Sequence, residues 1–181
     1  MESVRGKLLV ASPVLVDPNF ARTVVLVAAH DADGALGLVL NRPSTLTVSE
    51  VVAQLTGACR AFEQIYVGGP VQPGAVIVLA EFSDRSLGSM MIDGDLGIPH
   101  VALDPAALAG GVRRARAFAG HAGWGAGQLD AELAEEAWIV ADLEPEDSWT
   151  NPGGRLWSTV LERKGGEYAL LARMPVDPTV N

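Results

Sequence analysis

A chain of 181 residues is long enough to bury a sizeable core in one domain, and its single cysteine, Cys59, excludes an intramolecular disulfide and fits a reducing compartment. A net charge of −9, only two lysines (Lys7 and Lys164), and eight carboxylates without a cation between Asp130 and Gly154 argue against a nucleic-acid-binding face, which needs cations for phosphates. No apolar run reaches the length of a bilayer span, and Leu8 to Val16 is broken by Ser12 and Pro13 and has no cleavage-site pattern, so the expectation is a soluble cytoplasmic protein.

Taken in order, Val24 to His30 and Ala35 to Asn41 are β-rich runs joined by Asp31-Ala32-Asp33-Gly34, which predicts a tight hairpin. Before them, Ser12 to Thr23 is a polar, turn-rich insertion in which Asp17 and Asn19 flank Pro18 as an ordinary turn requires. Thr47-Val48-Ser49-Glu50 has capping-box spacing, and Val48, Val51, Val52 and Leu55 share a face of a helix ending near Thr56. Gln64 to Val67 and Ala75 to Phe82 read as strands on either side of a Gly68-Gly69-Pro70 turn, with Ser89 to Ile92 a further strand. Asp104-Pro105 and Asn151-Pro152 each set a side-chain cap before a first-turn proline and predict a helix. The second helix carries Trp157, Val160 and Leu161 on one face and closes at Gly165 or Gly166. Between the two, Arg113, Arg114 and Arg116 read as the solvated flank of a helix or else as phosphate contacts, and Arg116 to Ala119 as a strand. Gly120 to Leu129, four glycines around Trp124, describes an ordered path with Gly123 expected at positive φ. Gln128 to Glu135 is then a short helix, Ala137 to Ala141 a buried strand with Trp138, and Pro175 to Asn181 a loose tail. Strands come first and hairpins mix with helices, so the fold class is α+β.

Standard chemical signatures are missing. The chain has no phosphate-cradling GxxxxGK[ST] loop and no GxSxG elbow, and Gly123-Trp124-Gly125-Ala126-Gly127-Gln128 puts Gln128 where a dinucleotide fingerprint needs its third glycine. His30, His100 and His121 lie far apart without metal-ligand spacing, so neither a metal nor a cofactor is expected. Cys59, with only Arg60 nearby to lower its pKa, reads as an inert, partly buried thiol. His121 is read as a packing residue or, alternatively, as a functional imidazole.

Gly6-Lys7-Leu8-Leu9-Val10-Ala11-Ser12-Pro13, Asp17-Pro18-Asn19-Phe20, Arg22-Thr23-Val24-Val25 and Gly34-Ala35-Leu36-Gly37-Leu38-Val39-Leu40-Asn41-Arg42-Pro43 together resemble the YqgE/AlgH family, also called UPF0301 or DUF179. Val67-Gly68-Gly69-Pro70-Val71, the Gly120 to Leu129 segment, Trp138 and Leu156-Trp157 follow in the family's order, so the resemblance spans nearly the whole chain. One departure is His121, where the family usually has tyrosine. The resemblance implies a bacterial, cytoplasmic α+β protein, with a branched, mostly antiparallel, partly barrel-like sheet surrounded by helices in one domain over 1–181. Family members are described as candidate transcriptional regulators or as uncharacterised, and no mechanism follows.

The residues favour a non-enzymatic regulatory or interaction protein, with an unknown protein or a small anionic ligand as partner. Asn41-Arg42-Pro43 offers a guanidinium fork on a rigid turn, while Gly68, Gly69 and Gly123 offer backbone N–H groups and Trp124 an aromatic wall. Asp17, Asn19, His121 and Gln128 complete the candidate surface. The alternative for Arg42 is internal pairing with Asp17 or another acid. A rival function is an enzyme of the same cleft, with Arg42 on an anionic substrate and His121 or Asp17 moving a proton.

Overall fold

A computed structural model describes residues 2–60, 63–149 and 155–174. The elements are β1 (Lys7–Ala11), β2 (Val24–Asp31), β3 (Gly34–Val39), β4 (Pro43–Thr47), α1 (Val48–Val51), β5 (Gln64–Val67), β6 (Val71–Phe82), β7 (Gly88–Asp93), β8 (Leu96–Pro99), α2 (Pro105–Gly111), β9 (Val112–Gly125), α3 (Gln128–Ala134), β10 (Trp138–Asp142), α4 (Arg155–Lys164) and α5 (Tyr168–Leu171). Among the described residues ten strands form one curled sheet in the order β10-β1-β2-β3-β9-β6-β8-β7, with β4 and β5 branching from it. Every pair is antiparallel except β5 with β9. The α+β class and the branched, partly barrel-like sheet expected above are what the structure has.

The branch is made by β9, the longest strand. Its first part pairs with β6, Phe118 and Ala119 pair with Tyr66 and Val67 of β5, and Ala122 to Gly125 pair with β3. Two close backbone crossings make this exchange of partners possible. Gly69 (φ +152°) lies so near the His121–Ala122 backbone that a Cβ would overlap it, and Gly120 (φ +67°) lies equally near the carbonyls of Gly69 and Val71. Gly123, by contrast, has no positive φ, and a Cβ there would meet Val71 and His121 at ordinary contact distances of 3.4 and 3.5 Å. The tight path expected of this segment is therefore at Gly120, between the residues of β9 that pair with β5 and those that pair with β3.

Successive residues of β2 enter different cores, which is why its sequence is apolar without alternation. Val24, Leu26 and Ala28 pack with Trp157, Val160 and Leu161 of α4, whereas Val25 and Val27 pack with Trp124, Leu129 and Trp138. A third cluster, around Phe82, Leu108 and Ala115, lies under α2.

Most local signals are realised. Ala32 and Asp33 form the two-residue link between β2 and β3. Asp104 accepts from the Ala106 and Ala107 N–H groups at 3.1 Å, as a cap before Pro105 should. Gly165 and Gly166 close α4 at φ +75° and +58°. The capping box at Thr47 and Glu50 forms, but the helix after it is one turn followed by a 3-10 turn over Ala53–Leu55, and Val48 is its only buried apolar residue. Strands β1, β4 and β8 and the short helix α5 have no counterpart in the expectations. Arg113, Arg114 and Arg116 are not a helix flank, because α2 stops at Gly111 and all three lie on β9. The Asn151-Pro152 cap and the tail from 175 fall outside the described residues.

Candidate functional site: a cleft at Arg42

The apolar strand β3 ends at Val39, and two residues on comes Asn41, whose side chain fixes the loop before β2. Its Oδ1 accepts from the Val24 N–H and its Nδ2 donates to the Arg22 carbonyl, both at 2.9 Å. That loop is itself ordered, since Asp17 accepts from the Asn19 N–H at 2.8 Å and Thr23 donates to the Phe20 carbonyl at 2.7 Å. Arg22 leaves the loop at φ +57°, an uncommon conformation for a residue with a Cβ, and lays its guanidinium 4.1 Å from the centre of the Trp157 ring.

Arg42 follows Asn41 and is half-buried. Its guanidinium donates to the carbonyls of Pro18, at 3.3 Å, and Ala21, at 2.9 Å. The expected alternative, an ion pair with Asp17, does not form, and among the described residues no other carboxylate pairs with Arg42. Arg42 forms one side of a cleft of about 290 Å3, lined also by Asn19, Val39, Val67, Gly69, Pro70 and Pro73. The Arg42 carbonyl accepts from the Val67 N–H and the Gly68 carbonyl from the Val39 N–H, so both sides of the cleft are tied to one framework. The result is one cation oriented by neutral carbonyls above an apolar floor, suited to a carboxylate or phosphate attached to an apolar body.

Five of the ten candidate residues build this site: Asn19, Arg42 and Gly69 line it, and Asn41 and Gly68 hold its frame. Asp17 lies in the loop behind, held by its own turn. His121 sits on β9 opposite Val71, with Nδ1 3.1 Å from the Ala122 carbonyl. No hydrogen bond links Arg42, Asp17 and His121 among the described residues. Trp124 and Gln128 face elsewhere. Trp124 is buried against Phe20 and Trp138, with ring centroids 6.3 and 6.0 Å away, and its indole N–H donates to Glu132 at 2.9 Å. The Trp138 indole donates to the same oxygen at 2.7 Å, and Gln128 donates to the other at 2.9 Å. Glu132 is thus the acceptor of a closed aromatic hub, and only its position one helical turn after Gln128 hinted at it in sequence.

The three clustered arginines are all engaged. Arg113 and Arg114 bind Glu81 at 3.0 and 2.6 Å, Arg113 also Asp95, and Arg114 also Glu146. Burial alone would push the Glu81 carboxyl up, but hydrogen bonds and charge from both arginines hold it below the usual range. Arg116 is 1% exposed, lies 4.3 Å from the centre of the Tyr66 ring, and donates to the carbonyls of Ser148 and Trp149. Cys59 is buried, and desolvation pushes its thiol up to about 11.

Such a curled, branched half-barrel, with tight glycine crossings beside an arginine-bearing turn, defines an AlgH-like fold. The family model described as AlgH-like, DUF179, matches residues 8–169, and the chain belongs to this family. It is 39% identical over 187 residues to a UPF0301 protein of Streptomyces avermitilis, covering 100% of this chain and 97% of that protein. A UPF0301 protein of Thermobifida fusca is 42% identical over 190 residues, with 99% and 96% covered. Among solved structures, a protein of Corynebacterium diphtheriae superposes with a TM-score of 0.86 at 26% identity, over 95% of this chain and 93% of that one. The AlgH protein of Pseudomonas aeruginosa, UPF0301, gives 0.73 at 34% identity, over 98% and 100%. No helix among the described residues is long and apolar enough to cross a membrane.

Proposed function

We propose that this protein is a non-enzymatic regulatory or interaction protein, cytoplasmic, that senses or binds an anionic group in the Arg42 cleft. The observation that carries this reading is the Arg42 guanidinium, held by the Pro18 and Ala21 carbonyls and paired with no described carboxylate in a chain of net charge −9. A cation that a strongly acidic protein leaves without a counter-charge is suited to an external anion. Binding is favoured over catalysis because neither Asp17 nor His121 makes a hydrogen bond to the arginine. Direct DNA contact is disfavoured by the engagement of Arg113, Arg114 and Arg116 with protein acceptors.

Thermal unfolding against carboxylates, phosphates, nucleotides and duplex DNA tests the proposal. A ligand at about a hundred times its dissociation constant should raise the midpoint by roughly 5 to 10 °C. The shift should vanish in Arg42→Ala and shrink in Arg42→Lys, which keeps the charge without the fork. No shift with any anion, or an equal shift in Arg42→Ala, refutes the assignment.

A further inference from the structure

Strand β10 lies at one end of the sheet and, among the described residues, pairs only with β1. The Val140 carbonyl receives the Lys164 ammonium at 2.8 Å and the Asp142 carbonyl the Arg163 guanidinium at 3.0 Å, so these residues turn their main chain away from β1. In an antiparallel ladder a residue that directs its carbonyl outward directs its N–H outward as well. The unbroken register carries the same orientation to Trp138. The carbonyls of Val140 and Asp142 are taken by the lysine and the arginine that guard the edge, as exposed edges commonly are, and the outward Val140 N–H and Trp138 main chain are the groups directed at a further strand.

Beside this edge is a groove of about 530 Å3 between β10, the Ser12–Val14 loop and α5. Its exposed apolar surface comes from Val14, 70% exposed, and the half-buried Leu171, and the carboxylates of Glu135, Glu136 and Glu167 stand around it with Lys164 as the basic residue among the described lining. Lys164 is already committed, to the Val140 carbonyl and to the Tyr168 ring 5.0 Å away.

We propose that this groove docks an extended segment of a partner protein that carries lysine or arginine next to an apolar side chain, added as a strand along β10. The three carboxylates select the basic side chains, Val14 and Leu171 take the apolar one, and the outward Val140 N–H and the Trp138 main chain fix the segment's direction. This surface is separate from the Arg42 cleft, with which it shares no lining residue, and the two proposals stand or fall independently.

The test is fluorescence anisotropy of the full chain with a labelled peptide of about eight residues alternating lysine and valine. Expected is binding that weakens as salt rises from about 0.05 to 0.5 M, because the rim charges are solvent-exposed. The affinity should fall about tenfold or more in the Glu135→Lys/Glu167→Lys double variant, and similarly for a peptide with serine in place of valine. Exchange of the Val140 amide hydrogen should slow in the complex, which contact of side chains alone would not cause. All substituted residues are exposed, and unchanged circular dichroism verifies folding. No binding by the lysine–valine peptide, or equal binding by the double variant, overturns the proposal. So does sedimentation as a dimer that Val14→Asp dissociates and the peptide does not, for the groove's occupant is then a second copy of this chain.

Discussion

The aromatic hub around Glu132 and the Arg42 cleft both start from a charged side chain next to a glycine-rich turn, yet they end differently. At the hub, each donor aimed at the carboxylate comes from the protein itself: the indoles of Trp124 and Trp138 and the amide of Gln128. At the cleft, the described residues give the cation only neutral carbonyls. A network closed on itself serves stability, because removing one member strands buried partners. An open one is free to serve recognition. The most conspicuous tryptophan segment of this chain thus belongs to the core, and the plainer Asn41-Arg42-Pro43 turn carries the candidate site.

The contrast can be broken from the side of the hub first. Trp138→Ala should destabilise by about 3 to 5 kcal/mol in urea unfolding, since the ring is buried and packs edge-on against Phe20 and Trp124 at 5.7 and 6.0 Å. Glu132→Leu leaves two indole N–H groups without their acceptor and should lose about 2 to 3 kcal/mol, whereas Glu132→Gln keeps an acceptor and should lose about 1. Equal losses in the two Glu132 variants would show that packing, and not the hydrogen bonds, makes the hub. Arg42→Ala should change stability by less than about 1 kcal/mol while abolishing the ligand-induced shift, the opposite pattern to any hub variant. Gly123→Ala should be nearly silent, within about 0.5 kcal/mol, and Gly69→Ala clearly destabilising, which separates a permissive glycine from a required one.

Acid titration sharpens the same comparison at the Glu81 cluster, a closed network of charges. Because the folded carboxyl is held below its unfolded value, its stabilising effect is present above pH about 4.5 and is lost as the pH falls through the lower folded value. Stability of the wild type should therefore decline more steeply below that pH than stability of Glu81→Gln. Parallel curves would mean that the Arg113 and Arg114 pairs contribute nothing beyond those of exposed ions.

The elements legible in sequence are those written in neighbouring residues. Asp104 before Pro105, the two residues between β2 and β3, and Gly165 after α4 each act through hydrogen bonds or backbone angles spanning a few positions. Strand β4 was illegible because Pro43 to Thr47 is polar, exposed and paired with β5 alone, and β8 because it is four residues long with Gly97 pressed on the β7 backbone. The arginines of β9 read as a charged flank because no local pattern says that Glu81, Asp95 and Glu146 will stand opposite them. Five of the ten candidate residues come together around a turn with a cation, but its neighbourhood with Gly69 and not with Trp124 depends on contacts between segments far apart.

By itself, then, the sequence determined the α+β class, the family, the caps and hairpin, and the absence of any standard catalytic or metal-binding signature, because these depend on residue type and short spacing. Only the tertiary structure decided that β9 passes from β5 to β3 around Gly120, that Glu132 gathers two indoles, and that Arg42 pairs with no carboxylate among the described residues. The reason is physical: an unpaired charge, a closed network and a backbone crossing are relations between distant segments, and only the folded chain holds those segments within hydrogen-bond reach.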